Sequence, residues 1–183
     1  MQQKNLRVLT EGAILMALAE LLSLLPLYKM PWGGSVDLGM LPILVFCTRH
    51  GLGAGLLVSF AHGFLQMLLG GGFAIGWQSI LGDYLLAYAV LGFAGIFPGK
   101  LLPASITGCT LRFLVHYVVG ATLWAEYMPE SFFGLPMASP WVYSALYNGA
   151  FMAVDLVVIL LVSSVLLKTP VRKYLLGADL IQS

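Results

Sequence analysis

Six long apolar stretches, parted by short polar breaks, constrain this chain more than any other feature. They run roughly from Leu6 to Leu27, Asp37 to Thr48, Leu52 to Leu69, Gln78 to Phe97, Leu101 to Ala125 and Pro140 to Leu167. Hydrophobic residues make up 60% of the 183-residue chain and charged residues only 9%, against ~25% charged in an ordinary soluble domain. A soluble core of this size cannot bury so much apolar surface, whereas a bilayer can. The expected fold is an all-α integral membrane protein, a bundle of six transmembrane helices forming a single domain over residues 1–183.

The second stretch is short, nearer ~12 residues than the ~20 a span needs, and the distribution of charge decides how to count it. With six spans, both termini are cytoplasmic, and Lys4, Arg7, Arg49, Lys100, Lys168, Arg172 and Lys173 share that side. Only Lys29 faces out, beside Glu126 and Glu130. Five spans would put Arg49, Lys100 and the C-terminal cluster outside, against the positive-inside rule. The short second span is then expected deep inside the bundle, or partly irregular. The first stretch carries Glu11 and Glu20 and has no A-x-A cleavage site, so it reads as a retained helix rather than a signal peptide.

Several function classes find no support. A net charge of +1 gives no nucleic-acid footprint. Cys47 and Cys109 lie in apolar runs with no CxxC or Cys/His cluster, so no metal site is expected. The nearest approach to a P-loop, Gly95 to Leu101, has the wrong spacing and no hydroxyl residue after Lys100. No hydrolase, metalloprotease or deaminase signature occurs, so no catalytic residues and no cofactor are assigned. Six spans without an inverted repeat make a poor secondary transporter. Uphill transport would need energy from another protein.

Ionisable and polar groups at membrane depth are costly and usually functional. Asp83 and Tyr84 lie near the outer end of the fourth stretch. On the fifth, Arg112, His116, Gly120 and Trp124 recur at four-residue steps and share one helical face. On the sixth, Tyr143 is shallow, Asn148 deeper and Asp155 deeper still, while Trp32 sits in the first outer loop. A carboxylate among aromatic faces suits an organic cation, and His and Asn add directional bonds for a nitrogen heterocycle. Gly120 is expected to let a flat ligand approach closely. Taken singly, Trp32, Trp77, Trp124, Trp141 and Tyr143 are better explained by an interfacial aromatic belt, so the binding reading rests on their convergence with Asp83. His62, with Ser59 and Gln66, reads as helix packing. Arg112 and Asp155 fall at similar depths, ~20 and ~22 Å below the outer ends of their helices, so a structural ion pair between them is expected. That leaves Asp83 free for the ligand.

The residues also resemble a known family, the thiamine-specific S components of energy-coupling factor (ECF) transporters. The likeness covers nearly the whole chain. It is carried by Trp32, by Gly82-Asp83-Tyr84-Leu85, by the string from Arg112 through His116 and Gly120 to Trp124, and by Tyr143 with Tyr147-Asn148-Gly149. The Ala13-xxx-Ala17 step resembles the surface by which S components dock on their transmembrane coupling subunit, although on pattern alone such a step more often serves internal packing. The resemblance implies a thiamine site made by Trp32, Asp83, Tyr84, His116, Gly120, Trp124, Tyr143 and Asn148, with the acid facing the thiazolium. The family's acid is usually Glu where this chain has Asp83, and Phe73 stands where a tyrosine is usual. The implied partners are the coupling subunit and two cytoplasmic ATPases, in a bacterial plasma membrane. The competing readings are an S component for a pyrimidine precursor or riboflavin, a small intramembrane enzyme using Asp83 and His116, and a structural factor.

Overall fold

The structure is a computed structural model describing residues 2–69 and 74–180, so Phe73 lies outside the described residues. Helix α1 (Gln2–Leu24) stops just short of Pro26, because a residue preceding proline is pushed out of the helical region. Its faces are sorted by burial. Gly12, Leu15 and Ala19 point inward, whereas Ala13, Ile14, Ala17 and Leu18 are exposed. The Ala13–Ala17 step therefore does not pack inside the bundle. A two-residue hairpin follows, β1 (Tyr28–Lys29) antiparallel to β2 (Ser35–Val36).

Helix α2 (Met40–Leu69) contains both the second and third apolar stretches, broken at Gly51 with φ 79° and ψ −176°. A left-handed φ is open to glycine at little cost. The chain reverses there. Cys47 Sγ lies 3.6 Å from Ser59 Oγ, though twelve residues of straight helix would part them by ~18 Å. Residues 40–49 form one unbroken buried run; Met40 to Cys47 are apolar on every side, and Thr48 and Arg49 are its polar members. Phe46, Ile43 and Leu44 are fully buried with Leu91, Leu101 and Ile159.

Helix α3 (Trp77–Ile96) is irregular, with a π-helical segment at Ile80–Leu86 and a 3-10 segment at Val90–Ile96. Helix α4 (Leu101–Thr122) leads to a second hairpin, β3 (Ser131–Phe132) with β4 (Leu135–Pro136). Helix α5 (Pro140–Leu166) starts on a proline, whose missing N–H costs nothing in a first turn. Among the described residues, four helices are long and apolar enough to cross a membrane: α2, α3, α4 and α5. Helix α1 is long enough, but Arg7, Glu11 and Glu20 interrupt its apolar character.

At the Gly51 end, a C-terminal segment with the short helix α6 (Arg172–Leu175) closes on α1 and α2. Arg49, whose side chain is 0% exposed, lies 2.8 Å from both Glu11 and Asp179. It also donates to the Tyr174 carbonyl, and its guanidinium sits 3.6 Å above the Tyr174 ring. Arg7 joins through Glu11 and Asp179, and His50 through Glu11.

Candidate functional site

The opposite end, with both hairpins, holds a cavity of about 500 Å³. It is enclosed by α3, α4, α5 and the first hairpin turn. Trp32, Asp83, Tyr84, His116, Gly120, Trp124, Tyr143 and Asn148 all line it. The two tryptophans assigned only to an interfacial belt, Trp77 and Trp141, do not line it and are 67% and 44% exposed.

Asp83 is the electrostatic centre of the wall. Its Oδ1 lies 3.0 Å from His116 Nδ1, and its Oδ2 accepts from the Trp124 indole N–H at 2.8 Å. A carboxylate only accepts, so Nδ1 carries the hydrogen, and a neutral His116 ring keeps Nε2 as an acceptor. His116 and Trp124 stand eight residues apart on one face, which is why a single acid can bridge them. Asn148 is fixed similarly. Its amide nitrogen donates to the carbonyls of Ser144 at 3.1 Å and His116 at 3.3 Å, and two carbonyl acceptors demand the NH2 group on that side.

Gly120 lines the cavity and also serves helix packing. A Cβ there would meet Ser144 Oγ at 2.4 Å, so its bareness allows the close approach of α4 and α5. Gly120→Ala is expected to lower stability by about 1–3 kcal/mol, the usual cost of overpacking. Thermal unfolding in detergent would measure it, and Ser144→Gly in the same chain should recover most of the loss.

The expected Arg112–Asp155 ion pair is also corrected. No salt bridge joins them. Asp155 Oδ1 instead accepts the backbone N–H of Asp37 at 2.9 Å, tying the first loop to α5. The Arg112 guanidinium lies 4.0 Å over the Tyr88 ring. Equal depth did not reveal that a backbone amide had taken the carboxylate. Both residues line a smaller cavity of about 350 Å³, which shares Gly34, Tyr88, Arg112, His116 and Phe151 with the larger one. His62 is fully buried, with Nδ1 3.0 Å from Glu20 of α1 and its ring edge-on to Tyr88 at 5.0 Å, consistent with packing.

Some lining residues escaped the sequence reading. In a regular α-helix, Tyr88 would stand about 140° around from Asp83. The π-helical segment, with its wider i to i+5 stagger, brings both to one cavity. Tyr147 and Phe151 extend the row begun by Tyr143 at four-residue steps, a signal the sequence did offer. Phe132 of the second hairpin meets Tyr143 edge-on at 5.2 Å and Trp32 at 5.5 Å, and Phe133 meets Trp32 at 4.9 Å. The two hairpins thus touch above the cavity through aromatic rings.

Comparison with known proteins agrees with this architecture. Residues 9–175 match the model of the family described as "Thiamine transporter protein (Thia_YuaJ)". The thiamine transporter ThiT of Bacillus subtilis is 31% identical over 93% of this chain and 95% of its own length. ThiT of Lacticaseibacillus paracasei is 27% identical over 91% of this chain and 89% of its own. The solved structure of ThiT from Listeria monocytogenes superposes with a TM-score of 0.80 at 27% identity, over 93% of this chain and 98% of that one. With a family model covering most of its length and a relative above 30% identity, this chain belongs to the thiamine transporter protein family.

Proposed function

We propose that this protein is the thiamine-binding S component of an ECF-type transporter, taking up its ligand through the hairpin end. The observation that carries this reading is Asp83, a carboxylate held by His116 and Trp124 in the wall of an aromatic cavity. A permanently cationic thiazolium offsets the cost of such a charge at membrane depth, and the surrounding rings add cation–π attraction. The acceptor Nε2 of His116 and the amide of Asn148 suit an aminopyrimidine. Trp32, Tyr84 and Tyr143 complete the walls. The family relationship supports transport rather than catalysis, and no cofactor is called for.

In this reading the hairpin end faces outward, both termini are cytoplasmic, and the chain crosses a bacterial plasma membrane six times. The two limbs of α2 count as separate passes. Energy comes from a transmembrane coupling subunit and two ATPases. The exposed Ala13 and Ala17 offer a smooth strip on which another helix can pack closely.

The direct test is to titrate the purified chain with thiamine while following tryptophan fluorescence. Trp32 and Trp124 line the cavity, so strong saturable quenching is expected. A folded chain that shows no binding by fluorescence or calorimetry would refute the thiamine reading. For the partner, Ala13→Trp and Ala17→Trp are expected to leave thiamine affinity within about threefold while abolishing co-purification with the coupling subunits. The substituted side chains point away from the cavity and into the proposed contact. Retained co-purification would remove α1 from that interface.

A further inference from the structure

The tip of the second hairpin runs against its own turn chemistry. Strands β3 and β4 pair Phe132 with Leu135, which leaves Phe133 and Gly134 as a two-residue turn. Both have positive φ, 53° and 75°, the pattern of a type I′ turn, where Asn-Gly is strongly preferred. Glycine enters that region freely, but a bulky residue there is an outlier that its surroundings must hold in place. Among the described residues, Phe133 is the one non-glycine with positive φ. Its ring meets Trp32 edge-on at 4.9 Å and lies 4.3 Å from Phe132, which itself meets Trp32 at 5.5 Å.

Trp32 depends on such support. Gly33 and Gly34 follow it, at φ 105° and 85°, so its own permissive backbone does little to fix it. Its buried indole N–H has no hydrogen-bond partner among the described residues. The ring is therefore placed by packing, and the tip of the other hairpin supplies two of the rings that pack on it. Phe133 itself does not line the cavity. What it touches is the tryptophan that does.

We propose that Phe133 is a positioning residue, whose left-handed turn sets its ring against Trp32 and holds that tryptophan in the wall of the ligand cavity. This deepens the thiamine reading and rests on it. A contact ordered in advance raises affinity, because the ordering cost no longer falls on the binding step. The unfavourable turn is then a local cost sustained by the ring contact it permits. The competing explanation is an interfacial anchor, since Phe133 is 53% exposed and aromatic side chains settle at the headgroup level. An anchor needs an apolar side chain at the tip, but neither this ring nor Trp32.

Thiamine titrations of four variants separate these roles. Phe133→Asn gives the turn its preferred Asn-Gly pair and removes the ring. The unliganded protein should then melt as high as wild type, while thiamine binds about tenfold more weakly, the upper range for one edge-to-face ring pair. Most of that loss should appear as faster dissociation. Phe133→Leu keeps an apolar tip and should lose as much, whereas Phe133→Tyr keeps the ring and should stay within about threefold of wild type. In a Trp32→Ala background, Phe133→Asn should cost less than about threefold, because the contact it removes is already gone. If Phe133→Asn folds poorly, the same cycle is run with Phe133→Leu. Wild-type affinity in Phe133→Leu, or a loss that persists undiminished in the Trp32→Ala background, would overturn the proposal and leave the thiamine reading intact. Failure of the wild type to bind thiamine would sink both.

Discussion

Replacing Asp83 with asparagine is expected to weaken thiamine binding roughly 10²- to 10³-fold, the range for removing one partner of a desolvated charge pair. The variant is nearly isosteric and can still accept one bond from His116 or Trp124, so the fold should survive. The loss should fall on the cation: a neutral-ring isostere should lose less than about tenfold. Calorimetric titration of the two ligands against both proteins checks this, and equal losses would contradict the ion-pairing role. Trp124→Phe gives a graded control. It keeps an aromatic face but removes the N–H that holds Asp83 Oδ2, so an intermediate loss of about tenfold is expected.

The second large effect lies at the other end. Arg49→Met is expected to cost about 3–5 kcal/mol of stability, because it strands Glu11 beside a buried site once filled by a guanidinium. The fully enclosed Arg49 is the only cation described within reach of both Glu11 and Asp179 other than the more exposed Arg7. Thermal unfolding measures the loss, and thiamine affinity in the folded fraction should be nearly unchanged because the cavity is at the opposite end. Asp179 also gives the network a pH dependence. Hydrogen bonds from Arg49, followed by the Arg49 charge, hold its carboxyl below the usual carboxylate range. A depressed folded-state pKa contributes stability above the unfolded value, and this is lost as pH falls through the folded one. The Asp179 contribution is therefore present at neutral pH and disappears in acid.

Which features were legible in the sequence follows from which interactions are local. The four-residue rhythm of Arg112, His116, Gly120 and Trp124 is a property of one helix, so their shared face could be read directly. Asp83 stood out because an acid inside an apolar stretch requires a reason. Tyr88 was missed because the π-helical segment changes the period at that point. The packing role of Gly120 was not legible, because a missing Cβ does not say which neighbour stands against it, and only the packed α5 shows that Ser144 does. The Arg112–Asp155 pairing failed for a similar reason: depth along two helices is readable, but competition from the Asp37 amide is not. The ties from Arg49 to Asp179 span a long sequence separation and carry no local signature.

The fold-back at Gly51 bears on how the protein reaches its membrane. Residues 40–50 rise only ~16 Å as a helix, about half the thickness of a hydrocarbon core. That limb cannot be released into lipid as a free-standing segment, and in the finished protein residues 40–49 are enclosed by protein on every side. Its insertion must therefore be completed together with the limb that follows it, as one helical hairpin, and its burial must await the arrival of α3, α4 and α5. The most enclosed helix of the molecule is emitted early by the ribosome yet finds its final environment late, so biogenesis of this chain depends on keeping an apolar segment waiting until its neighbours have been made.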